Sequence, residues 1–293
     1  RATLTRYPPG STFKMILAIA ALENHVIDEN WRVQCRGAFV YGRKVFRDLH
    51  VHGSTNVVEA IQRSCNVFFY QLMLKVGLDP WSDYGKEFGF GQATKIDILE
   101  ENSGLLPSTE YYNRVYGKGK WTQGYLVSLG IGQGELGVTP LQMACYASML
   151  ANKGHYFQPH IVQTIYNKSA NTTDTVGIEH HDLPISERTW QIVREGMRRV
   201  VMEPGGTGGA AHIPGIVVAG KTGTAENPHG KSHSWFIGFA PFDNPKIAIC
   251  VLVENVGYGG SFAAQIAGMC MEKYLYGEII RNQKPSVQNE EAV

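Results

Sequence analysis

Three short groups of residues in this chain have the types and spacing that nucleophilic chemistry needs. In "YPPGSTFK", Ser11 stands three residues before Lys14, at the start of a segment that reads as a helix from Ser11 to Glu23. Positions i and i+3 share a helix face, so the amine can reach the hydroxyl. A serine hydroxyl attacks well only when a neighbouring base takes its proton, and a desolvated lysine can do that. N–H groups at a helix N-terminus add part of an oxyanion hole. The plain alternative is an N-cap serine followed by a solvated lysine, because Ser-x-x-Lys arises about once by chance in a chain this long. The second group is Ser64-Cys65-Asn66, which alone reads equally well as a turn. The third is Lys221-Thr222-Gly223-Thr224.

The third group sits inside a false signal. Gly215, Gly220, Lys221 and Thr222 fit G-x-x-x-x-G-K-T, the pattern of a phosphate-binding loop. Such a loop needs a tight, glycine-rich turn that opens a helix. Here the middle is Ile216-Val217-Val218-Ala219, branched apolar residues that favour a buried strand. The residues after Thr222 are poor helix formers and include Pro228. Lys221 is therefore expected on a strand, where its anion is not a phosphate.

The elements that must position these groups follow from periodicity and punctuation. In the Ser11–Glu23 helix, Phe13, Ile16, Leu17, Ala20 and Ala21 form one apolar stripe. Residues 30–53 lack helical periodicity and read as a loop or short hairpin. Asn56 to Gly77 reads as two helical pieces broken near Ser64-Cys65-Asn66. From 78 to about 126 come loops and short helices, and Pro140 opens a helix that ends before Gly154. Tyr156 to Tyr166 is strand-like, Ser186 to Met202 an amphipathic helix, and Gly205 to Ala211 a flexible link. Three strands follow, in "GIVVAGKTGTA", "SWFIGFAPF" and "KIAICVLVENV", the last two joined by the turn Asp243-Asn244-Pro245. Ala263 to Tyr276 is a closing helix, and residues 281–293 read as a disordered tail. The expected fold class is α+β, one helical lobe plus an antiparallel sheet flanked by helices.

Composition narrows the classes. The chain is 293 residues long and 43% hydrophobic, enough for one large domain or two lobes. A net charge of +1 gives no mark of nucleic-acid binding. The longest apolar run, Met15 to Leu22, falls far short of the roughly 20 residues that span a bilayer. Arg1 rather than Met opens the chain, so it reads as an excised piece. Five cysteines exclude a disulfide scaffold but leave a metal or one bridge open.

Taken in order, Ser-x-x-Lys at a helix start, Ser-x-Asn in a break and Lys-Thr-Gly on a strand form the set of the penicillin-recognising acyl transferases. The chain resembles the transpeptidase domain of class B penicillin-binding proteins over essentially its whole length. "RYPPGSTFK", "SLGIGQGELGVTPLQMA", "GKTGTAE", "HSWFIGFAP" and "VENVGYGGSFAA" carry the likeness. "NVFFYQL" and "FGFGQATKIDI" are most similar to the cell-elongation branch, penicillin-binding protein 2, with the septal branch competing.

The resemblance implies a penicillin-binding protein/serine β-lactamase-like fold, with residues 1–280 as a transpeptidase domain lacking its N-terminal strands. Ser11 would attack the penultimate D-Ala carbonyl of a peptidoglycan stem peptide, and Lys14 would take its proton. Ser64, between Lys14 and Lys221, would relay a proton to the leaving amine, with Asn66 orienting Lys14 and the substrate amide. Lys221 would lend positive potential to the substrate carboxylate bound by Thr222 and Thr224, and Gly223 would let substrate lie on the strand edge. Catalysis would need no cofactor. β-Lactams would acylate the same serine. A membrane glycan polymerase would be the partner, met largely through a pedestal and anchor outside this chain, on the periplasmic face of the inner membrane. Two rivals use the same groups: a D,D-carboxypeptidase or β-lactamase-type hydrolase, for which no dedicated deacylating base stands out, and a β-lactam sensor that is acylated once.

Between the first two motifs lie Cys35, Asp48, His50, His52 and Cys65, in a segment with little apolar material of its own. Some members of the resembled branch carry a zinc site here, with a Cys inside Ser-x-Asn and a preceding His-Gly. That implies a structural zinc on Cys35, Asp48, His52 and Cys65, with His50 as the alternate to His52. A Cys35–Cys65 disulfide or free thiols are the competing readings.

Overall fold

A computed structural model describes residues 1–98, 100–227, 230–257 and 262–281. A 3-10 turn, Gly10–Phe13, leads straight into α1, Lys14–Glu23. α1 is buried on every side rather than along one stripe, from Lys14 through Leu22. The small residues Ala18, Ala20 and Ala21 let α3, α4 and α8 pack close around it, so the stripe expected from the sequence has no polar counterpart. A helix apolar all round belongs in the centre of a lobe, and this one carries Lys14 there with no exposed surface.

Four short strands follow: β1 (Val33–Cys35), β2 (Ala38–Tyr41), β3 (Lys44–Arg47) and β4 (Gly53–Thr55). β2 and β3 form a hairpin, and β1 pairs with β4 so that Cys35 stands opposite Gly53. The segment thus takes the hairpin form of the two readings.

α2 (Val57–Arg63) starts at a capping box: the Asn56 side chain accepts the Glu59 N–H, and Glu59 accepts the Asn56 N–H. Such a cap stabilises a helix start by about 1 kcal/mol. α2 ends where Ser64 turns left-handed at φ 57°. A non-glycine residue there costs about 1–2 kcal/mol. α3 (Asn66–Val76) begins immediately, with the Cys65 thiol accepting the Phe68 N–H at 3.4 Å. The strained residue is the hinge that faces Ser64 into the site.

α4 (Leu78–Glu87), α5 (Thr109–Tyr116), α6 (Leu126–Leu129) and α7 (Pro140–Ala151) complete the helical lobe. α7 opens on a Thr139 cap, Pro140 at its first turn and a reciprocal Gln142 bond, as the sequence pattern predicts.

The strand expected over Tyr156–Tyr166 is two strands. β5 (His155–Phe157) pairs with β8 (His180–Asp182), and β6 (Thr164–Asn167) pairs with β7 (Thr172–Thr175). Pro159 lies between β5 and β6 and has no N–H to carry a ladder through. β7 and β8, polar and exposed, have no apolar alternation to announce them.

The last third matches the expected order: α8 (Glu187–Met202), β9 (Ala219–Ala225), β10 (His233–Ala240), β11 (Ile247–Val253) and α9 (Phe262–Tyr276). The sheet is antiparallel in the order β11-β10-β9, with Ile237 opposite Lys221 and Phe236 opposite Thr222. Every residue of β10 is buried, because α8 packs on β9 while α7 and α9 pack on β10 and β11. Among the described residues β11 has a neighbour on one side only. Of the expected tail, Arg281 is held by an ion pair to the buried Glu272, and residues 282–293 lie outside the described residues. No helix among the described residues is long and apolar enough to cross a membrane.

Candidate active site

The 3-10 turn, the α2–α3 hinge and β9 meet at one cleft of about 720 Å³, lined by Ser11, Ser64, Asn66, Thr222 and Thr224. Each comes from a different part of the chain, and close backbone approach fixes their spacing. The Gly10 N–H bonds Gly132 O at 2.9 Å. A Cβ on Gly132 would lie 2.1 Å from Gly10 O, and Gly132 has φ +71°, so only glycine fits. A Cβ on Gly223 would lie 2.8 Å from Pro9 O and 2.9 Å from the Thr12 methyl. Gly223 lines the cleft beside Thr222 and Thr224, and its lack of a Cβ also admits the turn that carries Ser11.

Lys14 Nζ donates to Asn66 Oδ1 at 2.7 Å, Ser64 O at 2.8 Å and Ser64 Oγ at 3.2 Å. Lys221 Nζ donates to the same Ser64 Oγ at 2.9 Å and to Thr222 O at 2.9 Å. Both lysines are fully buried. Burial pulls Lys14 down to about 8, against the opposing pull of Asp48 and Cys65. Burial and the neighbouring Lys14 charge push Lys221 well below the ordinary lysine value. Two ammonium groups on one hydroxyl repel, so the pair favours losing a proton. Ser11 Oγ makes no hydrogen bond with the described residues.

Lys221 therefore stands behind the cleft and reaches Ser64. α8 packs on β9, which is buried at every position but Thr224, and the Lys221 amine reaches Ser64 and the strand's own carbonyl. Thr222 Oγ1 and Thr207 Oγ1 lie 2.6 Å apart at the cleft wall, and Gln133 Nε2 donates to Thr224 O at 3.0 Å. The sequence reading missed Thr207 and Gln133. Thr207 sits in the glycine-rich link taken as flexible, and Gln133 acts on a backbone carbonyl, a contact with no spacing signature.

Beside the hinge, one donor atom each of Cys35, Asp48, His52 and Cys65 lies within 4.8 Å of the others. Cys35 Sγ is 3.6 Å from Asp48 Oδ2 and 3.5 Å from His52 Nδ1; Cys65 Sγ is 3.4 Å and His52 Nδ1 3.5 Å from Asp48 Oδ2. Bond lengths of a tetrahedral zinc with S, N and O donors set donor–donor edges of roughly 3.3–3.8 Å. The four residues fit that group. His50 offers its backbone carbonyl to Cys35 instead, at 3.6 Å, and stays outside the set. Both cysteines are free thiols. Burial alone would raise the Asp48 carboxyl, but hydrogen bonds from His52 and the Val67 N–H, with the Lys14 charge, hold it well below the usual range.

The profile of the penicillin binding protein transpeptidase domain matches residues 1–272. The chain belongs to the penicillin-binding protein transpeptidase family. Among curated members, the peptidoglycan D,D-transpeptidase MrdA of Haemophilus influenzae is 35% identical over 98% of this chain and 47% of its own length. Among solved structures, that of Pseudomonas aeruginosa PBP2 in complex with WCK 5153 superposes with a TM-score of 0.86 at 33% identity, covering 100% of this chain and 63% of that one. The complex between PBP2 and MreC from Helicobacter pylori gives 0.81 at 30% identity, over 94% of this chain and 51% of that one. The chain spans about half the length of the curated transpeptidases it matches. Its fold is that of the penicillin-binding protein transpeptidase domains, α+β with an antiparallel sheet.

Proposed function

We propose that this domain is a serine-type peptidoglycan D,D-transpeptidase of the cell-elongation branch, acylated at Ser11 by D-Ala-D-Ala stem peptides and by β-lactams. One observation carries the reading: two buried lysines from distant elements converge on Ser64 Oγ, in the cleft that Ser11 lines. Ser11 Oγ attacks the penultimate D-Ala carbonyl and gives its proton to neutral Lys14. The carbonyl oxygen, as it gains charge, is met by the backbone N–H groups of Ser11 and Thr224. The C–N bond to the terminal D-Ala then breaks, and that nitrogen takes a proton through Ser64, which Lys14 and Lys221 both reach. Thr222 and Thr224 bind the departing residue's carboxylate. An amine from a second stem peptide forms the new amide, and Ser11 leaves with a proton. A fluorescent penicillin should label the domain covalently. Ser11→Ala should abolish the labelling, and labelling that survives would sink the assignment of the nucleophile.

The four donors beside the hinge would hold a structural zinc through Cys35 Sγ, Asp48, His52 and Cys65 Sγ. The metal supplies cross-linking rather than reaction chemistry. Cys65 caps α3 between Ser64 and Asn66, so its attachment to β1 and the β3–β4 loop fixes both neighbours. In the full-length protein the domain faces the periplasm from a membrane anchor and works with a glycan polymerase. The membrane placement rests on the likeness to the MrdA transpeptidases, and the polymerase partner on the likeness to a peptidoglycan synthase complex that coordinates polymerization and crosslinking.

A further inference from the structure

A second groove of about 400 Å³ lies beside the cleft, lined by Tyr41, Phe46, Tyr125, Lys44 and Glu135 among others. Two segments line both hollows. Lys44 and Phe46 line the groove and Leu49 the cleft; Ser128 and Glu135 line the groove, and Ile131 and Gln133 the cleft. Ile131 packs against the Phe46–Tyr70–Val127 cluster and forms the sill between them.

Glu135 is the unusual member. Its Oε2 accepts the Tyr112 hydroxyl at 2.8 Å and its Oε1 the Tyr116 hydroxyl at 2.6 Å. Stacking of Tyr112 on Tyr116 and Trp121 holds those phenols in place. Glu135 has no cationic partner among the described residues. A carboxylate offers about four acceptor positions. The two phenols occupy one on each oxygen, and the others remain for a donor from the groove. A fixed, half-buried anion with aromatic walls suits an ammonium group on a short apolar stem. Lys44, also on the groove, supplies the opposite charge for a peptide carboxylate.

We propose that this groove binds the acceptor stem peptide, with Glu135 as the positioning residue that draws in its amine; the proposal rests on the acyl-serine reading. Glu135 holds the ammonium form at the mouth. Its proton leaves to bulk water through the open groove, and the neutral nitrogen passes the Ile131 sill to the acyl carbon. There the new C–N bond forms, the C–O bond to Ser11 Oγ breaks, and the amine's second proton returns to Ser11. The donor peptide keeps the β9 side of the cleft, so both substrates are accommodated at once.

The test is a two-substrate transfer assay on the full-length protein, with a thioester donor and a lysine-containing acceptor peptide. Glu135→Gln keeps an acceptor for a phenol and removes the charge. It should raise the acceptor concentration for half-maximal transfer ~10-fold, the loss of one charge-assisted hydrogen bond, with transfer at saturating acceptor within ~2-fold. Tyr41→Ala should raise it ~3-fold by removing one wall. Half-saturation unchanged in both variants overturns the proposal. Should Glu135→Gln not fold, Tyr41→Ala decides alone, and an unchanged value there overturns it. Failure of the serine reading appears separately, as wild-type protein that a penicillin does not label.

Discussion

Lys221 Nζ lies 2.9 Å from Ser64 Oγ although 157 residues separate them, and Lys14 meets the same oxygen from the other side at 3.2 Å. The hydroxyl between them has one proton of its own and two buried amines competing over it. That arrangement makes Ser64 a conduit, and removing it should stop proton delivery without emptying the cleft. Ser64→Ala is expected to slow acylation by a chromogenic cephalosporin ~10²–10⁴-fold, the usual contribution of general acid–base catalysis. Stopped-flow acylation rates, with circular dichroism to verify folding, check it.

Burial lowers Lys14 to about 8. Only its neutral form can take the Ser11 proton, so acylation should rise about tenfold per pH unit below that value and level off above it. The same rate measured from pH 6 to 10 reads this directly. A flat profile, or one falling through pH 8, excludes Lys14 as the base.

Gly132→Ala should be among the most damaging single changes outside the motifs. Its Cβ would overlap Gly10 O, next to Ser11, and φ +71° disfavours any side chain. Strain and overlap together predict a loss of about 2–4 kcal/mol in denaturant unfolding, with acylation reduced further because the 3-10 turn must shift. An undisturbed stability would mean the turn yields more easily than the contact suggests.

For the metal, purified protein should carry about one equivalent of zinc by plasma emission spectroscopy, and Cys35→Ser should lose it. Cys65→Ser should do the same, and because the serine hydroxyl can still cap α3, any fall in unfolding temperature reports the loss of the metal. Less than a tenth of an equivalent in the wild type would end the zinc assignment.

Much of the fold's outline is legible in the chain because it depends on local signals. The Thr139-Pro140 helix start, the Asp243-Pro245 turn and the apolar runs of β10 and β11 each act over a few residues. The strand expected over Ile216–Ala219, whose β-branching excluded a phosphate loop, starts only at Ala219, and Ile216 makes a single bridge to Ile213 instead. What escaped is non-local. The burial of α1 on all sides depends on three partner helices. Thr207 and Gln133 join the cleft through one hydroxyl and one backbone carbonyl, contacts that any sequence around them could hide. The split of Tyr156–Tyr166 was announced by Pro159, but pairing partners as polar as Thr172–Thr175 were not.

Mass spectrometry of the protein after reaction with benzylpenicillin identifies the acylated residue. Intact mass should show one penicilloyl adduct, and peptide mapping should place it on Ser11 within "YPPGSTFK". The adduct should be absent from Ser11→Ala. An adduct mapped to Ser64 or any other residue, or one that persists in Ser11→Ala, would contradict the account.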